Sequence, residues 1–267
     1  MTSHLTSGKQ VMFADDVQFL DSDLPKNLET LKSRVEETLD TALNWFTQNR
    51  LKVNPTKTEL VVVKPVKLKL DFQLSIRFGR TEISPSPHAK ILGIMVDSAL
   101  SWEKQVSQVT RLCYCVLVGL SKLRHKIPRE TKRLLVEALV FPHIHYCLTA
   151  WGGCNLTQRK RIQKIINFGA RVVSGQHRRA HISPTIQTLC WPSFEEMIKA
   201  RDIAVVERLL SDSLPATLAT CLSRRAQVSS RQTRGTRADM LDLPRVKTEA
   251  AKRSFPYRTA KVWNDRI

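Results

Sequence analysis

No run of about 18 consecutive apolar residues occurs in the chain, which excludes a helix long enough to cross a bilayer. The first ten residues, Met1 to Gln10, lack the apolar centre of a secretory signal. Among the cysteines, Cys113, Cys115, Cys147, Cys154, Cys190 and Cys221, no pair has the C-x-x-C spacing of a zinc ribbon or a dithiol redox site. Without a secretion signal these thiols are expected to be reduced, and the chain to be intracellular, nuclear or cytoplasmic. No internal repeat is evident. Acidic side chains are scarce too: 24 Asp and Glu stand against 43 Lys and Arg, a net charge of +19.

That imbalance is not spread evenly. Residues 1–97 carry 13 basic and 12 acidic side chains, whereas residues 98–267 carry 30 basic and 12 acidic. So one-sided a charge in the second part predicts a polyanion partner, nucleic acid above all. An anionic membrane surface would call for a strongly amphipathic basic helix, and none stands out. At 267 residues and 42% apolar content, the chain can fill one large core or two small ones.

Near the start, Val11-Met12-Phe13-Ala14-Asp15-Asp16-Val17-Gln18-Phe19-Leu20 sets two adjacent aspartates between two alternating apolar runs. Period-2 alternation on both sides reads as a hairpin, with the carboxylates at its tip and buried strands anchoring it. Paired carboxylates on a rigid tip suit divalent-metal chemistry on phosphates, because hard cations take fixed oxygen ligands. A surface Asp-Asp turn is the plain alternative for the dipeptide taken alone.

Further along, Asp23 and Pro25 open a helix expected over residues 24–48, with Leu24, Leu28, Leu31, Val35, Leu39, Ala42 and Phe46 on one stripe. Pro55 is expected to end the helical region, and Leu60-Val61-Val62-Val63 to form a buried strand with Lys57 just before it. Phe72, Leu74, Ile76 and Phe78 alternate into a Gly79-Arg80 turn and a return strand, Thr81 to Ile83. Lys90 to Asp97 reads as another buried strand. The first part is thus an α+β layer.

Helices dominate thereafter. One is expected from Trp102 to Arg124, burying Val106, Val109, Leu112, Val116, Leu120 and Leu123. Pro128 opens a second, with Leu134, Leu135, Ala138 and Leu139 inward and Arg129, Lys132 and Arg133 outward. A third runs from about Asn155 to Val173, buries Ile162, Ile165, Ile166, Ala170 and Val173, and has Gly175 as its C-cap. Its exposed face is expected to be Arg159, Lys160, Arg161, Lys164 and Arg171, a basic side suited to a phosphate backbone. One more helix is expected over Ser193–Leu210, then an irregular basic segment over 211–245, then a short amphipathic piece over Lys252–Trp263.

The order of these segments resembles the C-terminal part of a non-LTR (LINE-type, jockey-like) retrotransposon reverse transcriptase. Phe13-Ala14-Asp15-Asp16 is similar to that family's metal-binding signature. Trp45 followed by Leu51-Lys52-Val53-Asn54-Pro55-Thr56-Lys57-Thr58-Glu59 resembles the next segment, which leads into a palm strand. Ile91-Leu92-Gly93-Ile94-Met95-Val96-Asp97, with Leu100 and Trp102, resembles the primer grip. Arg161-Ile162-Gln163-Lys164 with Val172-Val173-Ser174-Gly175 resembles a helix after the thumb, and Ser254-Phe255 with Val262-Trp263-Asn264 the close of such reading frames.

The resemblance implies a partial palm over residues 1–97, a helical thumb over 98–175 and a basic, partly irregular C-terminal extension over 176–267. It implies two-metal nucleotidyl transfer with Mg²⁺ or Mn²⁺, acting on an RNA template with a DNA primer or on their hybrid. Asp15 and Asp16 would be catalytic and would ligate metal. Lys57 would neutralise or protonate the leaving group, or else be a solvated lysine at a strand edge. Leu92 and Gly93 would meet the primer end; alternatively, Gly93 marks a bulge. Nucleic acid would lie on Arg129, Lys132, Arg133, Arg159, Lys160, Arg161, Lys164 and Arg171. Twelve residues precede Phe13, so the family's earlier palm aspartate and its fingers are not in this sequence, and the chain alone is expected to be inactive. A non-enzymatic RNA- or DNA-binding protein and a functionless transposon relic are the other readings.

Smaller features are left over. His143, His145 and Cys147, with Cys154 beyond, hint at metal but lack finger or knuckle spacing, and a structural role is the simpler reading. Cys113 and Cys115 point to different helix faces. The loop containing His177, Arg178, Arg179 and His181 could touch phosphate or be merely solvated. The five tryptophans read as core anchors, not stacking platforms.

Overall fold

The computed structural model describes residues 8–64, 74–123, 125–211, 213–228 and 239–266. They divide into two compact units, one comprising residues up to Ile91 together with Val96–Leu100, the other Leu92–Met95 together with Ser101 onward.

The first unit opens with the expected hairpin, β1 (Lys9–Phe13) and β2 (Asp16–Leu20), antiparallel with Phe13 opposite Asp16. A turn of 3₁₀ helix over Pro25–Asn27 leads into α1 (Leu28–Gln48). Asp23 works one residue ahead of the cap position: its Oδ1 accepts from Leu24 N at 2.7 Å and from Asn27 Nδ2 at 2.8 Å. Arg34 reaches back from α1 to Asp21 and Asp23 and ties the connection down. A second hairpin, β3 (Ile76–Phe78) and β4 (Thr81–Ile83), turns through Gly79 at φ +60°, the first turn position, where a II′ turn takes glycine. Leu39 of α1, Ile76 and Phe78 form the core, with Phe19, Val35, Leu43, Val53, Leu60 and Ile83 packed around them. Phe72, expected to begin the alternation, lies outside the described residues.

Three expectations are corrected here. Leu60–Val63 is not a buried strand: Leu60 makes a single bridge to Pro85, and Val63 is exposed. Its β-branched run has no neighbouring strand to pair with among the described residues. The helix ends at Gln48, where Asn49 N donates to Trp45 O, well before Pro55. Lys90–Asp97 is not one strand either. It is part of a third hairpin, β5 (His88–Ile91) and β6 (Ile94–Asp97), whose tip is Leu92-Gly93.

The second unit is helical. It contains α2 (Glu103–Lys122), α3 (Arg129–Leu139), α4 (Phe141–His145), α5 (Leu148–Trp151), α6 (Leu156–Ser174), α7 (Ser183–Leu189) and α8 (Phe194–Leu210). Short α9 (Ala216–Ala219), α10 (Arg225–Val228) and α11 (Glu249–Lys252) precede α12 (Phe255–Asn264). Local signals set the long helices. Asn155 Oδ1 caps α6 by accepting from Gln158 N at 3.0 Å, and Gly175 closes it at φ +71°. Ser193 and Glu196 make a capping box on α8.

Helix α6 is the hub, against which α2, α3, α7 and α8 all pack. Packing is therefore continuous across residue 175, where a separate extension was expected to begin. Ile162, Ile166, Ala170 and Val173 are buried on α6, as are Val106, Val109, Cys113 and Leu117 on α2. A smaller cluster of Val206, Leu209, Leu222, Leu241 and Ala260 joins α8 to the C-terminal segment.

Phase is where the expectations for α2 and α3 fail. Leu112 and Leu123 are exposed, while Cys113 and Leu117 take the inward positions. On α3, Leu134 is 64% and Leu139 46% exposed, whereas Lys132 and Val136 are buried. The close approach of α6 at Gly169 selects this phase, because a Cβ there would meet Val136 Cγ1 at 3.2 Å.

Candidate functional site

The Asp15-Asp16 pair stands at the end of β1–β2 on a two-residue turn, Ala14-Asp15, with Ala14 at φ +52°. A non-glycine residue in the left-handed region costs about 1–2 kcal/mol, so the turn holds its shape against a local preference. Both aspartates are exposed, and neither carboxylate has a hydrogen bond or ion pair among the described residues. No group of three His, Cys, Asp or Glu residues is gathered to hold a metal among the described residues. Two hard carboxylates alone match the way Mg²⁺ is bound at phosphate-transfer sites, where water and substrate phosphates complete the shell.

The strands behind the tip, expected to be buried, are mostly exposed. Phe19 reaches the core from one face, while Val11 (43%), Phe13 (64%) and Leu20 (55%) are exposed on the other. No third strand covers that face among the described residues.

Lys57 ends a 3₁₀ turn, Pro55–Lys57, instead of preceding a strand. Asn54 Oδ1 fixes that turn by accepting from Thr56 N at 3.0 Å and Thr56 Oγ1 at 2.7 Å. The Lys57 side chain is exposed and without a partner among the described residues. Val53 and Leu60, on either side of it, pack on the same cluster as Phe19 of β2. One core therefore supports both the carboxylate hairpin and the lysine turn.

Leu92 and Gly93 belong to the second unit. Leu92 has φ +46° and Gly93 φ +86°, the two positive values that a tight I′ turn demands. Gly93 thus marks neither a bulge nor a strand interior but a hairpin tip. Tyr146, just past α4, donates its hydroxyl to Leu92 O at 2.7 Å, and its ring lies 3.5 Å from where a Cβ on residue 93 would be. Gln105 of α2 accepts from Met95 N at 2.9 Å and holds the next residues.

The expected basic face separates into two groups. Arg129, Lys160 and Lys164 are exposed; Arg133 is exposed too but is paired with Glu137 at 2.8 Å. The other four turn inward. Lys132 is 6% exposed. Arg159 grips both oxygens of Glu195 and the carbonyls of Cys154 and Gly152. Arg161 bonds Gln158 and Ser107, and Arg171 bonds the carbonyls of Asn167 and Ala180. With helices on several sides of α6, only a narrow strip of it is left for solvent, and its flanking guanidinium groups satisfy backbone carbonyls instead.

Exposed cations also occur where none had been singled out: Lys104 and Arg111 on α2, and Lys199 and Arg201 on α8. The inward stripe of α8, Met197, Ile198, Asp202, Val206 and Leu209, would have pointed to the last two had its phase been read. Arg178 and Arg179 are exposed in the loop after α6.

Of the His and Cys group, His143 and Cys147 are exposed and His145 is half-buried. Burial, with Arg201 nearby, holds the His145 imidazole below its ordinary pKa. Cys113 is buried and Cys115 exposed on the same helix, and burial pushes the Cys113 thiol up to about 12. Trp151 and Trp191 are buried core residues, while Trp45, Trp102 and Trp263 are partly exposed.

No protein-family model matches the chain, and no solved structure matches it. Over 170 residues, 61% of this chain, it is 29% identical to a probable RNA-directed DNA polymerase from transposon BS of Drosophila melanogaster. The chain spans 18% of that relative's length. This similarity supports a relation to transposon reverse transcriptases.

Proposed function

We propose that the chain is the second half of the palm and the thumb region of a non-LTR retrotransposon reverse transcriptase. In this reading the first unit supplies part of a metal site and the helical unit holds primer and template. The observation that carries it is the similarity to a transposon RNA-directed DNA polymerase. The geometry of the hairpin tip supports it: two free, adjacent carboxylates on a strained turn are poised to take a cation. Bound there, Mg²⁺ or Mn²⁺ would supply charge neutralisation at the reacting phosphates. Asp15 would ligate it, with Asp16 in support. Lys57, exposed on its fixed turn, would place an ammonium near the leaving phosphate. The Leu92-Gly93 tip would offer backbone to the primer end, and the exposed Arg129, Lys160 and Lys164 would take backbone phosphate.

The described residues bring no third metal ligand to the pair. As a 267-residue polypeptide the chain is therefore proposed to bind primer–template without extending it. Incubation with an RNA template, annealed DNA primer, nucleotides and Mg²⁺ or Mn²⁺ tests this, with Asp15→Asn as the control. Equal, background-level products are expected. Extension by the parent chain above the variant would show that the two carboxylates suffice.

A non-enzymatic nucleic-acid-binding role is the second reading, favoured by the 30 basic side chains against 12 acidic ones in residues 98–267. It predicts the same binding, with no dependence on Asp15.

A further inference from the structure

The helical unit has an open groove of about 790 Å³ that the polymerase reading does not use. Glu137, Phe141, His145, Tyr146, Cys147 and Arg201 lie along it. Arg201 is exposed and has no hydrogen bond or ion pair among the described residues. The carboxylate of Glu137 is already engaged, its Oε1 accepting from Arg133 Nε at 2.8 Å and Trp191 Nε1 at 2.7 Å. The groove's uncommitted charge is therefore positive.

Its aromatic lining is held in place. Tyr146 is 52% exposed, yet its hydroxyl is bound to Leu92 O, so the ring has little freedom to lose when something stacks on it. Phe141 packs edge-on against Trp191 at 4.9 Å and against His145 at 6.2 Å.

We propose that this groove binds a nucleotide, its base against the Tyr146 ring and its phosphate on Arg201. A flat, fixed ring and a free guanidinium along one groove match a ligand with a π-face and an anion. A purely anionic ligand would leave the ring unused. A divalent cation would face Arg201, with the nearby carboxylate already committed. The inference is independent of the polymerase reading, since a chain that only binds nucleic acid would use the groove equally.

Cys147 is exposed on the groove and serves as a built-in reporter, with exposed Cys221 as reference. The full chain is alkylated with a maleimide, alone or with a saturating 12-mer of uridylate, and labelling at each thiol is followed by mass spectrometry. With the 12-mer held at several times its Kd, labelling of Cys147 is expected to slow at least about fivefold because only the free fraction reacts, while Cys221 is unchanged. Uridine monophosphate at matched phosphate concentration separates the sources. Protection by the 12-mer alone assigns the site to a strand; protection by both assigns it to a free nucleotide as well. Arg201→Gln, an exposed change, is expected to abolish the protection. Heparin, anionic but without bases, is expected to protect little. The proposal is overturned if heparin protects as well as the 12-mer, if Arg201→Gln changes nothing, or if the 12-mer binds while Cys147 stays fully reactive. That last result would leave the broader nucleic-acid reading standing.

Discussion

Arg258 of α12 and Asp202 of α8 form a two-pronged ion pair inside the helical unit, Nε to Oδ2 at 2.6 Å and Nη2 to Oδ1 at 2.9 Å. Asp202 is 0% and Arg258 8% exposed, and Nη2 also donates to Thr149 O at 2.8 Å. One guanidinium thus joins the C-terminal helix, α8 and the segment of α5. Removing one partner strands the other charge in the interior. Asp202→Ala is expected to cost about 3–5 kcal/mol in urea unfolding. The double change Asp202→Leu with Arg258→Met, which removes both charges, is expected to recover most of that loss.

His145 makes stability depend on pH. Burial, with Arg201 nearby, lowers its folded pKa below the ordinary 6.5, so the unfolded chain takes up the proton first as pH falls. Its contribution is fully present above about pH 6.5 and is lost as the pH falls below that value. Unfolding midpoints at pH 7.5 and 5.5 check this. The parent is expected to lose more stability between them than His145→Gln does.

The Leu92-Gly93 tip depends on two contributions that can be removed separately. Gly93→Ala puts a side chain at φ +86° and is expected to cost about 1–2 kcal/mol. Tyr146→Phe removes the bond to Leu92 O and is expected to cost about 1 kcal/mol. Both are read in urea unfolding, with hydrogen exchange of the Ile94 and Met95 amides reporting local loosening.

The two classes of cation should part in experiment. Arg159→Gln breaks the grip on Glu195 and two carbonyls and is expected to lower stability by about 1–2 kcal/mol. Lys160→Gln with Lys164→Gln is expected to leave stability within about 0.5 kcal/mol. The same pair is expected to reduce the salt slope of nucleic-acid binding by about 1 per lysine.

What could be read from the chain was whatever local chemistry decides. Asn155 and Gly175 bound α6, Ser193 starts α8, and Gly79 turns β3 into β4, because caps and turns act within a few residues. Helix phase was not legible in the same way. On α3 the sequence offers Leu134 and Leu139 as plausible inward residues, and the choice of Lys132 and Val136 is made by α6 pressing close at Gly169. The hairpin tip at Leu92-Gly93 was half visible: glycine allows a positive φ, but nothing marks Leu92 as adopting one. The Asp15-Asp16 tip was legible as a hairpin, whereas the exposure of Val11 and Phe13 was not, since alternation announces an apolar face without saying what covers it. Arg159, Arg161 and Arg171 looked like a binding face because long cations on a helix can equally reach solvent or fold onto neighbouring carbonyls.

The central claim is that this chain handles nucleic acid through exposed cations of its helical unit. Fluorescence anisotropy of a labelled RNA–DNA hybrid, titrated with the full chain between about 50 and 200 mM salt, tests it most directly. The account predicts a linear fall of log affinity with log salt, with a slope of at least about 3, shallower in the Lys160→Gln, Lys164→Gln chain. Affinity that is unchanged across that range, or the same slope in parent and variant, would contradict it.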